Sequence, residues 1–465
     1  VGKFKEENLN SEYLEFIESK GTKFNPVGFT PIDLNDALFD FQRDIVTWAL
    51  KIGKAAIFAD CGMGKTIMQL SWANQVAKYT GGNVLILSPL AVAEQTVKEG
   101  EKFGISVKYK RDQSDVESGI TITNYEMADH FDADNFEGVV LDESSILKSF
   151  NGKTRNLLIE KFEKIDFKLC CTATPAPNDH VELGNHSEFL GVMSRVEMLS
   201  MYFVHDGGDT SKWRLKGHAE EPFWQWLCSW AVNIRKPSDL GYEDNGFKLP
   251  PIVYHHHVVK KDSAPEGFLF PVEALTLSER QAERRATIDD RVEMLSTIVN
   301  DTDEPFLVWC NMNDESTKTK LLCKDMTEVT GSQKPDIKKD RMIGFTEGKY
   351  LKLVSKPKLS GFGMNWQHCY NMAFVGLSDS YEQFYQAVRR CWRFGQTKTV
   401  HVHIITAETE GAVVDNIKRK EKDALKMADN MVKHMADINK ENIRGTASMK
   451  TEYKPTVKME KPSWM

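Results

Sequence analysis

The sequence predicts an α/β protein of two lobes, each a mostly parallel sheet flanked by helices, with a helical, tryptophan-rich insertion. Three observations carry that expectation. Short apolar runs recur at α/β spacing from Ala55 to Cys171, each followed by polar residues, as in a buried parallel sheet with function along one edge. A second series recurs from Pro305 to Ile405. Between them, residues 196–250 break the rhythm and carry Trp213, Trp224, Trp226 and Trp230.

The chain has 465 residues, enough for about two to four domains with sizeable cores. Composition is that of an ordinary globular protein, 41% hydrophobic and 27% charged. The net charge of -7 gives no global electrostatic case for nucleic acid, so any such binding needs a local groove. Residues 411–465 are the exception, with twelve Lys/Arg against eight Asp/Glu; a solvated helix and tail or a contact surface would both account for them. None of the eight cysteines forms a Cys-x-x-Cys pair, and Cys170-Cys171 would point to opposite faces of a strand. This usage fits reduced thiols rather than a zinc or disulfide framework. No apolar signal core and no bilayer-length run is present, which leads to the expectation of an intracellular, cytoplasmic protein without a membrane partner. No repeat of 20–50 residues is visible.

In chain order, a short helical pattern lies around Tyr13, Leu14, Phe16 and Ile17. Leu38–Leu50 reads as an amphipathic helix with Phe41, Ile45, Trp48 and Ala49 on one face. Strands are expected at Ala55–Phe58, Val84–Leu87, Ile120–Thr123, Val139–Leu141 and Phe167–Cys171, with helices from Thr66 to Tyr79 and from Ser88-Pro89-Leu90 to about Phe103. The four tryptophans could stack on bases, but a packed helical insertion suits them better. Ile252–Val259 reads as a strand; its His255-His256-His257 suits solvated or packed imidazoles better than a metal site. A charged helical pattern, Thr276–Val299, enters the second lobe. There, strands are expected at Pro305–Cys310, Glu328–Val329, Leu351–Ser355, Asn371–Val375 and Val400–Ile405, with a helix from about Ser316. One long charged helix follows Gly411, then a Lys/Pro-rich tail. The boundaries read as an extension (1–37), a first lobe (38–195), an insertion and linker (196–260), a second lobe (261–420), and a charged helix with tail (421–465).

The chemistry centres on Asp60-Cys61-Gly62-Met63-Gly64-Lys65-Thr66, which follows a strand and opens a helix. Gly62 and Gly64 let the backbone bend its N–H groups around an anion, which also meets the positive end of the helix dipole. Lys65 can reach β- and γ-phosphates and Thr66 can hold Mg²⁺. The usual pattern has glycine at the position of Ala59. Alone, this loop says that the chain binds a nucleoside triphosphate. Asp142-Glu143 ends a buried strand, where Asp142 would hold Mg²⁺ and Glu143 would orient and deprotonate the attacking water. The Gln42 amide can donate and accept together, which suits an adenine edge. In Gln386–Gln396, Arg390 and Arg393 would lie one helical turn apart on one face. They could grip a γ-phosphate from the second lobe or form a salt-bridged surface helix. The second lobe has no Gly-Lys-Thr of its own, which suits a lobe that completes the first lobe's site.

These blocks, in this order, resemble a superfamily-two helicase/translocase, closest to its Swi/Snf-like branch. The matching stretches are Phe41-Gln42 with Trp48, Gly62–Thr66, Ser88-Pro89-Leu90, Thr123–Glu126, Asp142-Glu143, Thr172-Ala173-Thr174-Pro175, Ser360–Trp366 and Gln386–Gln396, spread over roughly residues 38–420. Arg393-Phe394-Gly395-Gln396 resembles the Swi/Snf branch, where DEAD-box helicases would have a further Arg after the Gly. Asp142-Glu143-Ser144-Ser145 departs from the Asp-Glu-Ala-Asp and Asp-Glu-x-His patterns of DEAD/DEAH-box helicases. The compact size and Trp-rich insertion resemble phage and prophage members, which would place the protein in a bacterial host's cytoplasm.

The resemblance implies two RecA-like lobes closing on ATP and Mg²⁺. Gln42 would read adenine; Gly62, Gly64, Lys65, Thr66 and Asp142 would hold phosphates and Mg²⁺; Arg390 and Arg393 would act as fingers; Gly363 and Asn365 would link nucleotide to nucleic acid. Thr172 and Thr174 would relay closure, and Ser88, Pro89, Thr123, Asn311 and Ser360 would touch the nucleic-acid backbone. The implied partner is DNA, duplex or branched, gripped without sequence preference and ahead of RNA. The implied activity is ATP-dependent translocation. Two alternatives stay open at this stage: a strand-separating DNA or RNA helicase, and a binding module that uses ATP only as a switch.

Overall fold

A computed structural model describes residues 26–148, 152–177, 179–206, 209–259, 282, 284–360, 364–378 and 380–444. The short pattern around Tyr13, the tail after 444, Gly363 and the start of the Thr276–Val299 pattern lie outside the described residues.

The first sheet is parallel throughout and follows the order β3-β4-β2-β5-β6-β1-β9. Its strands are β1 (Lys54–Ala59), β2 (Val84–Ser88), β3 (Val107–Tyr109), β4 (Ile120–Asn124), β5 (Gly138–Asp142), β6 (Phe167–Thr172) and β9 (Ala231–Ile234). Strand β2 and strands β4 to β6 are buried along their whole length, which is why they read as continuous apolar runs instead of alternating ones. Cys170 faces one core and Cys171 the other, as expected for neighbours on a strand. One layer is built on helix Asp40–Ile52, which buries Phe41, Ile45, Trp48 and Ala49, and on helix Lys65–Thr80. The opposite layer holds Leu183–Leu190, Arg195–Tyr202 and Glu220–Cys228.

The tryptophan-rich stretch packs. Trp224, Trp226 and Trp230 lie in the core with Phe223, Tyr202 and Phe203. The stretch also contains an antiparallel hairpin, β7 (Phe203–Asp206) with β8 (Asp209–Leu215). It then returns to the first sheet, where β9 pairs with β1. Strands β3 and β9 and the hairpin are elements the apolar pattern did not announce.

The second sheet is also parallel, in the order β10-β15-β14-β11-β13-β12. Its strands are β10 (Ile252–Val259), β11 (Phe306–Trp309), β12 (Met326–Val329), β13 (Lys352–Ser355), β14 (Asn371–Phe374) and β15 (Val400–Ala407). The helix after β11 begins at Asn313, earlier than expected, because Glu315 turns back to accept from the backbone N–H groups of Asn311 (2.7 Å) and Met312 (2.9 Å). On β10 and β15 four imidazoles interleave. His255 and His401 are joined by a 3.0 Å nitrogen–nitrogen hydrogen bond, as are His257 and His403, and His255 stacks on His403. Among the described residues, no three or more His, Cys, Asp or Glu converge as metal ligands.

Helix Gly411–Arg444 serves both lobes. Val413 and Ile417 join the second core, while Met431 and Met435 join the first, where His434 stacks on Trp224. The charge excess left a solvated helix or a contact surface open; the methionines and Val413 give the helix a buried seam within the chain itself. Among the described residues, no helix is long and apolar enough to cross a membrane.

Candidate active site between the lobes

In the first sheet β1 and β5 each adjoin β6, so the loops after β1, β5 and β6 emerge at one edge, with β1 and β5 about 10 Å apart. The glycine loop 60–66 therefore sits within reach of Asp142-Glu143 and Thr172–Thr174.

Both glycines are required by the loop's backbone. Gly62 has φ +92° and Gly64 φ +78°, the left-handed region where a side chain is strained. A Cβ at Gly62 would approach the Phe394 backbone nitrogen to 2.8 Å, and one at Gly64 would collide with the Gln42 amide. Helix Lys65–Thr80 starts directly on Gly64, with no side chain capping its first N–H groups. Lys65 donates to the Ala59 carbonyl (2.9 Å), folded back along the loop. Thr66 stands half-buried at the first turn of that helix. Gln42 is buried; its Oε1 accepts from Phe39 N (3.0 Å) and its Nε2 donates to the Met63 carbonyl (2.9 Å), so it braces the loop.

Asp142 is buried at the end of β5 and accepts from Glu143 N (3.1 Å). Burial and the neighbouring Glu143 push its carboxyl up to about 7, while Lys65 and the Gln69 amide pull the other way. Glu143 has φ +54°, rare for a residue with a side chain and costing roughly 1–2 kcal/mol. The Thr172 hydroxyl faces Glu143 Oε2 at 3.5 Å and accepts from Thr174 N at 3.1 Å, which joins the loop after β6 to the carboxylate.

The second lobe faces this edge with Tyr381–Gln396. Its helix ends at Val388, so Arg390 and Arg393 lie in the turns beyond it and not on one helical face as expected. The physical reason is a change of partners: Trp366 N donates to the Arg390 carbonyl (3.0 Å) and Gln396 N to the Arg393 carbonyl (3.0 Å), bonds that a continuing helix would have used. Arg390 is buried and donates to the Gln386 carbonyl (3.0 Å), Gln386 Oε1 (3.0 Å) and the Met364 carbonyl (3.2 Å), so its guanidinium is fixed by its own lobe. Asn365 lies between Met364 and Trp366, both bonded to Arg390. Burial draws the Arg393 guanidinium down to about 10, with the charge of Arg390 adding to the effect.

The remaining expected residues sit apart from this junction. Ser88 is buried at the end of β2 and Thr123 at the end of β4, its hydroxyl without a hydrogen-bond partner; Pro89 precedes helix Leu90–Lys102. Asn311 follows β11 beside a small pocket shared with Gly376, Leu377 and Gln383, and Ser360 ends helix Pro357–Ser360.

Sequence reasoning missed the residues that join the lobes. Asp60 receives an ion pair from Arg389 and a hydrogen bond from the Tyr385 hydroxyl. Cys61 Sγ lies 3.9 Å from Gln386 Oε1. Phe39, Phe247 and Phe394 form an aromatic group beside Gln42, with ring centroids 4.7 Å apart for Phe247–Phe394 and 5.2 Å for Phe39–Phe247. The only signal for these was proximity to the motifs; their pairing crosses more than 300 residues of sequence in the Asp60 case.

The fold defines a class: two separate parallel sheets, each flanked by helices, that meet at the glycine loop. Among solved structures, the chain is similar to the Sulfolobus solfataricus SWI2/SNF2 ATPase core in complex with dsDNA, at 18% identity and TM-score 0.42, covering 82% of this chain and 90% of that one. It is also similar to a fragment described as the HsdR subunit of a type I restriction enzyme from Vibrio vulnificus YJ016, at 17% identity and TM-score 0.51. That match covers 81% of this chain and 64% of the fragment. No family model and no curated protein matches the chain.

Proposed function

We propose that this chain is a nucleic-acid-stimulated ATPase that translocates on DNA, duplex in preference to single strands, by closing its lobes on ATP and Mg²⁺. The observation that supports this reading most is the seat of the second lobe's arginine segment on the glycine loop, with Phe394 against Gly62, beside Asp142-Glu143. A strand-end carboxylate pair, a glycine cradle and arginines from another lobe are the parts that phosphoryl transfer uses.

The residues fit the groups they would hold. Helix Lys65–Thr80 starts on Gly64 with its first N–H groups uncapped by any side chain, as a phosphate site needs, and Thr66 with Asp142 offers hard oxygen donors of the kind Mg²⁺ takes together with phosphates and water. Bound there, Mg²⁺ would shield the phosphate charge. Lys65 would leave the Ala59 carbonyl for a phosphate oxygen, and Gln42 would turn its amide from the loop to adenine. Glu143 would take the proton of a water whose oxygen attacks the γ-phosphorus, as the bond to the ADP oxygen breaks. Arg390 and Arg393 would stabilise the charge spreading over the γ-phosphate oxygens, a contribution of about 10³-fold or more in rate. Thr172 would report closure from Glu143 to the loop at Thr174, and so to backbone contacts at Ser88, Pro89, Thr123, Asn311 and Ser360. Gly363 and Asn365 would link the nucleotide to those contacts. Such contacts follow phosphates rather than base edges, which lets a protein of net charge -7 hold DNA without reading its sequence.

The test is steady-state phosphate release with no nucleic acid, single-stranded DNA, plain duplex, forked DNA and RNA, with Glu143→Gln as control. Strong stimulation by plain duplex supports the reading. Stimulation by single strands or RNA alone overturns duplex translocation in favour of unwinding, and equal turnover by Glu143→Gln overturns the assigned chemistry.

A further inference from the structure

We propose that Asp60 and Arg389 form a closure clasp that seats the second lobe's arginines on the glycine loop, both acting as positioning residues for the ATP reaction inferred above. The inference deepens that reading of the site and rests on it.

The two residues belong to different lobes, and the pair they make is buried, with side-chain exposures of 16% and 3%. Among the described residues, Lys148 with Glu382 and Lys339 with Glu94 also pair across the lobes. Their lysines are 40% and 48% exposed, so solvent screens them and they contribute little. Burial of Asp60–Arg389 makes it the pair whose loss matters, because either partner left alone is an uncompensated buried charge.

Each partner is held ready from its own side. Asp60 N donates to the Ile234 carbonyl (3.0 Å), and Asp60 Oδ1 accepts from Cys61 N (2.6 Å), so the carboxylate is part of the loop's own folding. Arg389 lies between the rings of Tyr385 (5.5 Å) and Trp392 (4.9 Å) and donates to the Trp392 carbonyl (3.3 Å). Tyr385, one helical turn earlier, brings a hydroxyl to the same carboxylate. Burial is the largest influence and would raise the Asp60 carboxyl, but Arg389, the Tyr385 hydroxyl and the Cys61 N–H together outweigh it and hold the group below its usual range, ionised at neutral pH.

The geometry turns this contact into a positioning device. Arg390 is the next residue, and three hydrogen bonds lock it to its own lobe. Whatever fixes Arg389 on the loop therefore fixes Arg390, and Phe394 follows onto Gly62. Loop shape and lobe closure share one carboxylate: Asp60 takes the first N–H of the loop and the second lobe's cation at once.

The test uses Arg389→Gln, Arg389→Lys, Asp60→Asn and the double variant Asp60→Asn/Arg389→Gln in the full chain. Spin labels at Glu101→Cys and Glu347→Cys, exposed sites on the two lobes, give the interlobe distance without nucleotide; the eight native cysteines are buried. The same proteins are assayed for kcat, KM and fluorescent ADP binding. The clasp predicts that Arg389→Gln lowers kcat by about tenfold to a hundredfold, leaves ADP affinity within about threefold, and lengthens and broadens the interlobe distance. The double variant should lose no more than the worse single one, and Arg389→Lys should recover part of the rate. Additive losses, or single variants with unchanged rate and distance, overturn the clasp. Absence of ATP turnover in the unaltered chain overturns the ATPase reading instead, and the distance measurement still decides whether the pair holds the lobes.

Discussion

Asp142→Asn should stabilise the protein at alkaline pH while stopping hydrolysis. The carboxyl is buried at the end of β5, and burial with the adjacent Glu143 raises it from 3.8 to about 7. Between those values the folded protein keeps a proton that the unfolded chain releases, so this group's contribution to stability falls as pH rises through the window. Above pH 7 the folded protein carries the whole cost of the buried charge. A shift of about three units at 1.36 kcal/mol each sets an upper bound of about 4 kcal/mol, and local relaxation leaves about 1–3 kcal/mol to be measured. Asparagine has the same shape and no charge to bury. Urea denaturation followed by tryptophan fluorescence, without nucleotide or divalent ions, should show Asp142→Asn more stable at pH 8 by that amount. At pH 5 the difference should shrink to less than half. A difference that is the same at both pH values, or an asparagine variant that is less stable at pH 8, would refute the reasoning.

Further expectations follow from the loop and the second sheet. Gly64→Ala, forced to φ +78° against the Gln42 amide, should cost about 1–3 kcal/mol in denaturation and weaken fluorescent-nucleotide binding; an unchanged midpoint and affinity contradict this. Glu143→Gly should relieve about 1 kcal/mol of backbone strain at φ +54° and raise the unfolding midpoint, where Glu143→Gln should not, although under the proposed chemistry both should stop turnover. Burial, together with His255, His257 and His401, holds His403 at about 4, below its ordinary 6.5. The unfolded chain therefore binds that proton first, and the stability tied to this group is complete above pH 6.5 and lost as pH falls toward 4. His403→Gln should flatten the acid side of the second lobe's stability profile between pH 6.5 and 4.5, and an unaltered profile would contradict the assignment.

The sheet strands that are buried on both faces were legible in the sequence, because burial on both faces demands unbroken apolar runs such as Val84–Leu87 and Val139–Leu141. Two edge strands were not: β3 is only the three residues Val107–Tyr109, and β9 (Ala231–Ile234) follows the apolar helix Glu220–Cys228 so closely that its run merges with the helical one. The placement of the glycine loop between a strand and a helix, and of Asp142-Glu143 at a strand end, was legible because it follows local order along the chain. The helical placement of Arg390 and Arg393 failed because the chain gives up its helix after Val388 to bonds with Trp366 and Gln396, partners that spacing alone does not reveal. Asp60 with Arg389 and the imidazole pairs of β10 and β15 are products of tertiary approach, and no local pattern encodes them; the seam of helix Gly411–Arg444 does follow a helical repeat, Val413 with Ile417 and Met431 with Met435, set among its charges.

Movement along duplex DNA is the claim that most needs a direct measurement. A triplex-displacement assay on long linear duplex, with a third strand annealed at increasing distance from the entry end, reports it without strand separation. The proposed motor releases the third strand only with ATP and Mg²⁺, after a lag that grows with distance, and Glu143→Gln releases none. Duplex-stimulated ATP turnover with no displacement at any distance would contradict translocation.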